Sequence, residues 1–209
     1  MRIPIDGRVL PGLGILLLVI TAVYFVFKPL LVVPVLLLFF QLAFFRDPAR
    51  TAAGPGPLAP ADGTVTDVAP VYESRFIDGK AVRIGMFLSI FNVHVTRATA
   101  EGVVKYIKYE PGKFLNALDE DSVNKNESNW IGIEGDGRKI LIRQISGAIA
   151  RRIHCDVKPG DEVRRGGKLG IICYGSRAEC YIPARNFFPA VKKGDRLKAG
   201  ETVLGEWTA

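Results

Sequence analysis

The chain has 209 residues, enough for one domain of ordinary size plus an accessory segment, and its formal net charge is +7 at pH 7. It has no dense Lys or Arg run and no nucleic-acid recognition motif, so a nucleic-acid partner is not expected. Three cysteines at 155, 173 and 180 form no Cys-x-x-Cys pair and no cluster that could complete a metal site. We therefore expect no bound metal, and free thiols in a reducing compartment.

Two apolar runs open the chain. Residues 9–27 and 29–45 contain no charged side chain, and Lys28 alone separates them. Each run is slightly shorter than the roughly 20 residues that cross a bilayer. A cleaved signal peptide, a single span and a helical hairpin turning at Lys28-Pro29 are the alternatives, and the hairpin is preferred because it uses both runs. Residues 1–45 are thus predicted to anchor the chain in a membrane.

Basic residues predict the side on which the rest of the chain lies. Arg2 and Arg8 precede the hairpin, Arg46 and Arg50 follow it, and the turn offers only Lys28. By the positive-inside rule, both ends and the following domain are expected on the cytoplasmic face of the cell membrane. Shallow insertion from that face gives the same sidedness, so whether the segment spans or only inserts stays open.

The remaining residues are predicted to form a mostly β domain. Residues 46–60 contain four prolines and two glycines and are predicted to be a linker. From residue 61 to 209, short runs alternate apolar and polar side chains and end at Gly, Asp or Asn. The predicted strands are 64–68, 81–88, 102–109, 130–134, 139–145, 169–173, 179–182 and 202–207. Residues 113–129 are polar and predict a loop or a short helix.

An internal repeat refines the predicted fold. Residues 157–163 recur as residues 191–197, each copy with a Gly-Asp turn between apolar strands. The pattern resembles the turns of biotinyl- and lipoyl-type β-sandwiches. The predicted fold class is therefore mostly β (α+β): a β-sandwich core with two such hairpins packed face to face, preceded by an apolar helical hairpin.

Three separated residues could carry chemistry. Ser176 follows Gly175 between two predicted strands, Asp62 lies just before the first strand of the core, and His94 is one of only two histidines. Each alone is typical of a turn or core residue, and the Ser176 context is not a Gly-x-Ser-x-Gly elbow because position 178 is Ala. Their joint presence is what requires an explanation.

These motifs resemble the phosphatidylserine decarboxylase family in its short form. The resemblance rests on Ala-Asp-Gly at 61–63, Asn-Val-His-Val-x-Arg at 92–97 and Gly-Ser at 175–176, in that order. Residues 111–117, 124–127 and 147–153 support it, so it covers nearly everything from residue 60 onward. The chain has Tyr-Gly-Ser-Arg at 174–177 where longer bacterial members have Leu-Gly-Ser-Thr, and Phe91 where those members have a further His.

The resemblance implies a self-processing proenzyme. A triad of Asp62, His94 and Ser176 would cut the chain between Gly175 and Ser176, giving a β chain (1–175) and an α chain (176–209) that stay associated. Ser176 would become a covalent pyruvoyl group, the cofactor. This ketone would form a Schiff base with phosphatidylserine and release carbon dioxide, leaving phosphatidylethanolamine. His94 is the first candidate for proton transfer and His154 the alternative.

Several points remain open from the sequence. Lys113, Arg151 and Arg152 are candidate partners for the lipid phosphate, and equally candidates for surface roles. The partners expected are the phospholipid and the membrane, with a homo-oligomer left open. The alternatives are a membrane-anchored serine hydrolase with the same triad, a non-enzymatic lipoyl-like carrier module, and a decarboxylase of another phospholipid.

Overall fold

The computed structural model describes residues 5–113, 115, 123–147, 152–173 and 176–208. The chain separates into two compact units, residues 1–49 and residues 50–209. Tyr174, Gly175, Arg151 and residues 114 and 116–122 of the predicted 113–129 loop lie outside the described residues.

The first unit is the predicted pair of apolar helices. Helix α1 (Leu10–Val26) and helix α2 (Val32–Phe44) are joined through a short 3₁₀ helix, Lys28–Leu31. Asp6 donates its backbone N–H to the carbonyl oxygen of Phe45 at 2.7 Å, so the two ends of the hairpin meet. The stretch Gly7–Val26 has a mean hydropathy of 2.5 and is long and apolar enough to cross a membrane.

The second unit is built around a large antiparallel sheet. Its eight strands lie in the order β12-β1-β2-β10-β6-β5-β4-β8. Their bounds are β1 (Gly63–Glu73), β2 (Gly79–Leu88), β4 (Gly102–Glu110), β5 (Ser128–Gly135), β6 (Arg138–Ser146), β8 (Glu162–Val163), β10 (Ser176–Pro183) and β12 (Arg196–Leu197).

A smaller sheet packs over one face of the large one. It contains β3 (Val95–Arg97), β9 (Lys168–Ile172) and β7 (Ile153–Cys155), in the order β3-β9-β7, and a separate pair joins β11 (Phe187–Pro189) to β13 (Gly205–Trp207). Buried side chains from both layers, among them Ala98, Ile131, Ile142 and Leu169, form a shared apolar core. The mostly β fold with an N-terminal helix pair is confirmed.

The repeat found in the sequence has a structural counterpart at the two edges of the large sheet. Gly160 and Gly194 have φ of 96° and 95°, a backbone conformation that favours glycine. The aspartate after each glycine accepts a hydrogen bond from a lysine backbone N–H, at 2.9 Å in both copies. The copies lead into β8 and β12, which are the two edge strands. The same kind of turn, with a glycine at positive φ followed by an aspartate, therefore precedes each edge strand of the large sheet.

Candidate active site

Ser176 opens a central strand of the large sheet. It lies opposite Leu88 on β2 and Ser146 on β6, and its exposed fraction is 0%. Its Oγ accepts and donates no hydrogen bond within the described part of the chain. A buried hydroxyl without a partner carries a desolvation cost of about 1–3 kcal/mol, so it requires a functional or structural explanation.

The side chain of Ser176 belongs to the face that the smaller sheet covers. Strand side chains alternate between faces, so Ala178 and Cys180 share the face of Ser176. Cys180 lies opposite Ile142 on β6, and Ile142 packs in one cluster with Leu169 of the smaller sheet. We call this the covered face of the large sheet.

His94 lies in the smaller sheet, at the entrance to β3. Its exposed fraction is 0%, and its carbonyl oxygen accepts a hydrogen bond from Ile172 N–H at 3.2 Å, near the end of β9. β9 is the strand that leads toward Ser176. His94 Nδ1 lies 3.0 Å from the carbonyl oxygen of Asn92. Because a carbonyl only accepts, Nδ1 carries the proton in this contact and Nε2 is the basic nitrogen.

Two contacts show how β3 and the residues after it run across the covered face. Thr99 Oγ1 lies 3.7 Å from Cys180 Sγ, and Thr96 Oγ1 accepts a hydrogen bond from Gln144 Nε2 at 2.7 Å. Gln144 lies opposite Ala178. The segment from Thr99 back to Thr96 therefore runs alongside β10 from Cys180 back to Ala178. Going two residues further back along both segments brings His94 near Ser176.

Gln144 links the two sheets and holds β3 in place. Besides its bond to Thr96, it accepts a hydrogen bond at its Oε1 from Asn129 Nδ2 at 2.8 Å, and all three side chains are buried. The backbone of the preceding turn is also ordered by side-chain contacts: Asn92 Oδ1 accepts from both the N–H and the hydroxyl of Ser89. Side-chain hydrogen bonds therefore fix the chain two residues before His94, at Asn92, and two residues after it, at Thr96.

Asp62 lies in the segment that runs beside β3. Leu58 N–H donates to Thr99 O and Arg97 N–H donates to Pro60 O, each at 2.8 Å, so the two segments are antiparallel. Continuing that register brings Asp62 level with Val95, the residue after His94.

The carboxylate of Asp62 has its own partners. Both of its oxygens accept hydrogen bonds from Arg50 Nη2 at 2.9 Å, and Oδ1 also accepts from the backbone N–H of Ala199 at 2.8 Å. Its expected role in orienting His94 stays a prediction.

The opposite face of β10 is held by buried charges. Arg177 forms ion pairs with Asp67 and with Glu179, and Glu179 also accepts a hydrogen bond from the Tyr181 hydroxyl at 2.7 Å. Burial raises the pKa of Asp67, but the attraction of Arg177 and Arg83 outweighs it and the net pKa is lowered. These pairs fix the backbone directly after Ser176.

Three further residues singled out in the sequence are Gly175, Arg151 and His154. Gly175 and Arg151 lie outside the described residues, so their predicted roles stay predictions. His154 pairs with Ile171, in the row of Val95, so by strand alternation it lies on the other face of the small sheet from His94.

The chain matches known proteins over most of its length. The family model described as phosphatidylserine decarboxylase matches residues 37–205. The chain belongs to the phosphatidylserine decarboxylase family.

Similar relatives come from several bacteria, and each is named phosphatidylserine decarboxylase proenzyme. The relative from Carboxydothermus hydrogenoformans is 47% identical over 172 residues, covering 81% of each chain. The relative from Symbiobacterium thermophilum is 39% identical and covers 98% of this chain and 97% of its own length. The relative from Salinibacter ruber is 42% identical, covering 85% of this chain and 80% of its own. The phosphatidylserine decarboxylase family resemblance read from the motifs is confirmed, and with it the class of enzyme, a carboxy-lyase.

Sequence reasoning missed the polar residues around the site. Gln144 and Ser146 continue the inward-facing alternation of Ile140 and Ile142 on β6, but they are polar. A polar side chain at a core-facing position of an otherwise apolar strand is the signal that could have found them. Arg50, the partner of Asp62, lies in the predicted linker and carries no local signal.

Proposed function

We propose that this chain is the proenzyme of a phosphatidylserine decarboxylase that cuts itself between Gly175 and Ser176 and converts Ser176 into a pyruvoyl group. The observation that carries the proposal is the Ser176 hydroxyl, which is fully buried and has no hydrogen-bond partner in the described part of the chain. An outside substrate cannot reach such a hydroxyl, whereas the peptide bond on its own N-terminal side is always adjacent.

The first step is an intramolecular attack. His94 Nε2 removes the proton from Ser176 Oγ, and the oxygen attacks the carbonyl carbon of Gly175. The amide C–N bond breaks, the nitrogen of Ser176 receives the proton, and the Gly175 acyl group becomes an ester on Oγ. The carboxylate of Asp62, fixed by Arg50, stabilises the imidazolium that forms on His94 during the transfer.

The second step cuts the chain. Removal of the Cα proton of Ser176 expels Gly175 as a carboxylate and leaves a carbon–carbon double bond at residue 176. Water hydrolyses the imine tautomer, which releases ammonia and leaves a ketone. The products are the β chain, 1–175, and the α chain, 176–209, whose first residue is a pyruvoyl group. A buried hydroxyl without a protein partner is compatible with this conversion, because no hydrogen bond is lost when Oγ leaves.

The two chains would remain one folded unit after the cut. β10 is the first strand of the α chain, and it lies between β2 and β6, both of which belong to the β chain. The Arg177–Asp67 ion pair also joins the two chains. Because these pairings do not involve the 175–176 bond, the cut leaves them in place.

The mature site would act on the serine head group of a membrane lipid. The pyruvoyl ketone supplies an electron sink for loss of carbon dioxide from an amine-bearing substrate. His94 Nε2 would take a proton from the ammonium group of the substrate and return it to the α carbon of the product. Residues 1–45 anchor the chain, residues 46–60 connect it, and residues 61–209 carry the chemistry on the cytoplasmic face. The lipid thereby keeps its acyl chains in the bilayer while its head group reacts.

Mass spectrometry of the purified chain tests the proposal. We expect two fragments divided after residue 175, the smaller of which lacks a free amine at its N-terminus. Ser176→Ala should stay at full length, because no hydroxyl is present to attack, and it serves as the control. A wild-type chain that stays whole but still releases carbon dioxide from phosphatidylserine would refute the mechanism.

A further inference from the structure

Three buried oxygens without partners lie in one row across the covered face. Ser176 is opposite Ser146 on β6, and Ser146 donates its N–H to the carbonyl oxygen of Glu127 at 2.9 Å, which extends the row onto the chain entering β5. All three residues are buried. Ser176 Oγ, Ser146 Oγ and Glu127 Oε2 have no hydrogen-bond partner in the described ranges of the chain. Because three buried oxygens without partners lie side by side on neighbouring segments, we look for one function that involves all three.

The direction of the backbone bonds places Ser146 beside the reacting atoms. The N–H and carbonyl of Ser146 both point toward the Glu127 side, since its carbonyl accepts a hydrogen bond from Asn126 Nδ2 at 2.9 Å. Ser146 and Ser176 therefore form a non-hydrogen-bonded pair, with Cα atoms about 4.5 Å apart and Cα–H bonds facing each other. This pairing places the Ser146 side chain beside that of Ser176, on the same face of the sheet.

Glu127 connects the row to solvent. Its Oε1 accepts a hydrogen bond from the Tyr109 hydroxyl at 3.0 Å, and Tyr109 is 55% exposed. The backbone of Glu127 is fixed by its N–H, which donates to the carbonyl oxygen of Lys113 at 3.1 Å. The carboxylate thus has one oxygen committed to a surface tyrosine and one buried oxygen on the side of the sheet that holds Ser146.

We propose that Ser146 and Glu127 form a proton relay for the elimination step at residue 176. The hydroxyl oxygen of Ser146 takes the proton from Cα of Ser176 while its own proton passes to Glu127 Oε2. The electron pair of the Cα–H bond forms the Cα–Cβ double bond, the Cβ–Oγ bond breaks, and Gly175 leaves as a carboxylate. His94 serves the preceding attack, and the relay serves the elimination. This inference rests on the proposed function.

The test separates the two steps of self-cleavage. Full-length chains carrying Ser146→Ala or Glu127→Gln should form the ester at the normal rate but accumulate it, because its elimination lacks a proton acceptor. Hydroxylamine cuts an accumulated ester and yields an α chain that begins with an intact serine, which mass spectrometry distinguishes from the pyruvoyl end. We expect elimination to slow by on the order of 10²-fold in both variants.

Ser128→Ala is the matched control. Ser128 is also buried and its Oγ also lacks a partner among the described residues, but it pairs with Ile145 and so lies on the opposite face of the sheet. It should process like the wild type.

An isotope measurement excludes a merely structural role. With serine deuterated at Cα, the two relay variants should show a larger slowing by deuterium than the wild type does, since proton removal then limits the rate. Wild-type kinetics in either Ser146→Ala or Glu127→Gln would overturn the relay. A wild-type chain that fails to cut itself would instead overturn the proposed function, so the two failures are distinguishable.

Discussion

Replacing Gln144 by methionine tests whether the link between the two sheets positions His94. The substitution keeps the length of the side chain but removes both of its hydrogen bonds, leaving Thr96 Oγ1 and Asn129 Nδ2 buried without that partner. Each unsatisfied buried group costs about 1–3 kcal/mol, so Gln144→Met should destabilise the fold by about 2–6 kcal/mol. Because His94 lies two residues from Thr96, we also expect self-cleavage to slow, by up to about 10²-fold for a displacement near 1 Å.

Two measurements on the full chain in mild detergent check these expectations. The urea midpoint is read in a Ser176→Ala background, which keeps the chain intact, and the half-time of self-cleavage is read in the chain that retains Ser176. Adding Thr96→Val should recover about 1–2 kcal/mol, because removing both partners of a hydrogen bond costs less than removing one.

Thr99→Val provides the control for this experiment. Thr99 is also buried, but its hydroxyl makes only a weak contact with Cys180 Sγ, at 3.7 Å. It should therefore cost less than about 1 kcal/mol and leave self-cleavage near the wild-type rate. The reasoning is refuted if Gln144→Met behaves like Thr99→Val in both assays, since β3 would then be held by other contacts.

Three further changes have defined outcomes. Deleting residues 1–45 should spare self-cleavage but lower turnover of lipid in vesicles by at least about tenfold, because the local concentration of enzyme at the bilayer is lost; equal turnover on vesicles would contradict the anchor. Burial raises the pKa of Asp67, but Arg177 and Arg83 together outweigh it and the net pKa is lowered, so the stabilisation by Asp67 is present above pH 3.8 and is lost as pH falls through the lower folded pKa. Asp67→Asn should therefore lower the urea midpoint at pH 7 and flatten the pH dependence of that midpoint below pH 4. In Gly170→Ala the new Cβ would overlap the carbonyl oxygen of His154, so the small sheet should shift and thermal stability should fall by about 1–3 kcal/mol.

The long strands were predictable because the alternation of apolar and polar side chains is visible within the sequence of each strand. The predicted strand 81–88 lies within β2, and the predicted strand 139–145 lies within β6. β3 was missed because it has only three residues, and because Thr96 and His94, two residues before it, are buried polar side chains. Their burial depends on partners such as Gln144, 48 residues away from Thr96. A pattern read along one strand does not contain that information.

The residues of the site were predictable only in part, for a similar reason. Ser176, His94 and Asp62 are found in short motifs, so a resemblance proposes them as site residues. The hydrogen bonds of Asp62 come from Arg50 in the predicted linker and from Ala199 near the C-terminus. Both contacts arise from tertiary folding, and neither residue type is unusual in its own segment.

The position of Ser176 favours the proposed self-processing over hydrolysis of an outside substrate. A serine hydrolase needs its nucleophile exposed at the end of a strand or on a turn, where an acyl group can approach. Ser176 instead has an exposed fraction of 0% and is flanked by Leu88 and Ser146 on paired strands. This burial supports the proposal that the carbonyl attacked by Ser176 belongs to the same chain, and the proposed cut would provide an opening by freeing the strand end at residue 176. On the proposed mechanism the lipid head group would meet the ketone only after that bond is broken, so the appearance of activity should coincide with the loss of the intact chain.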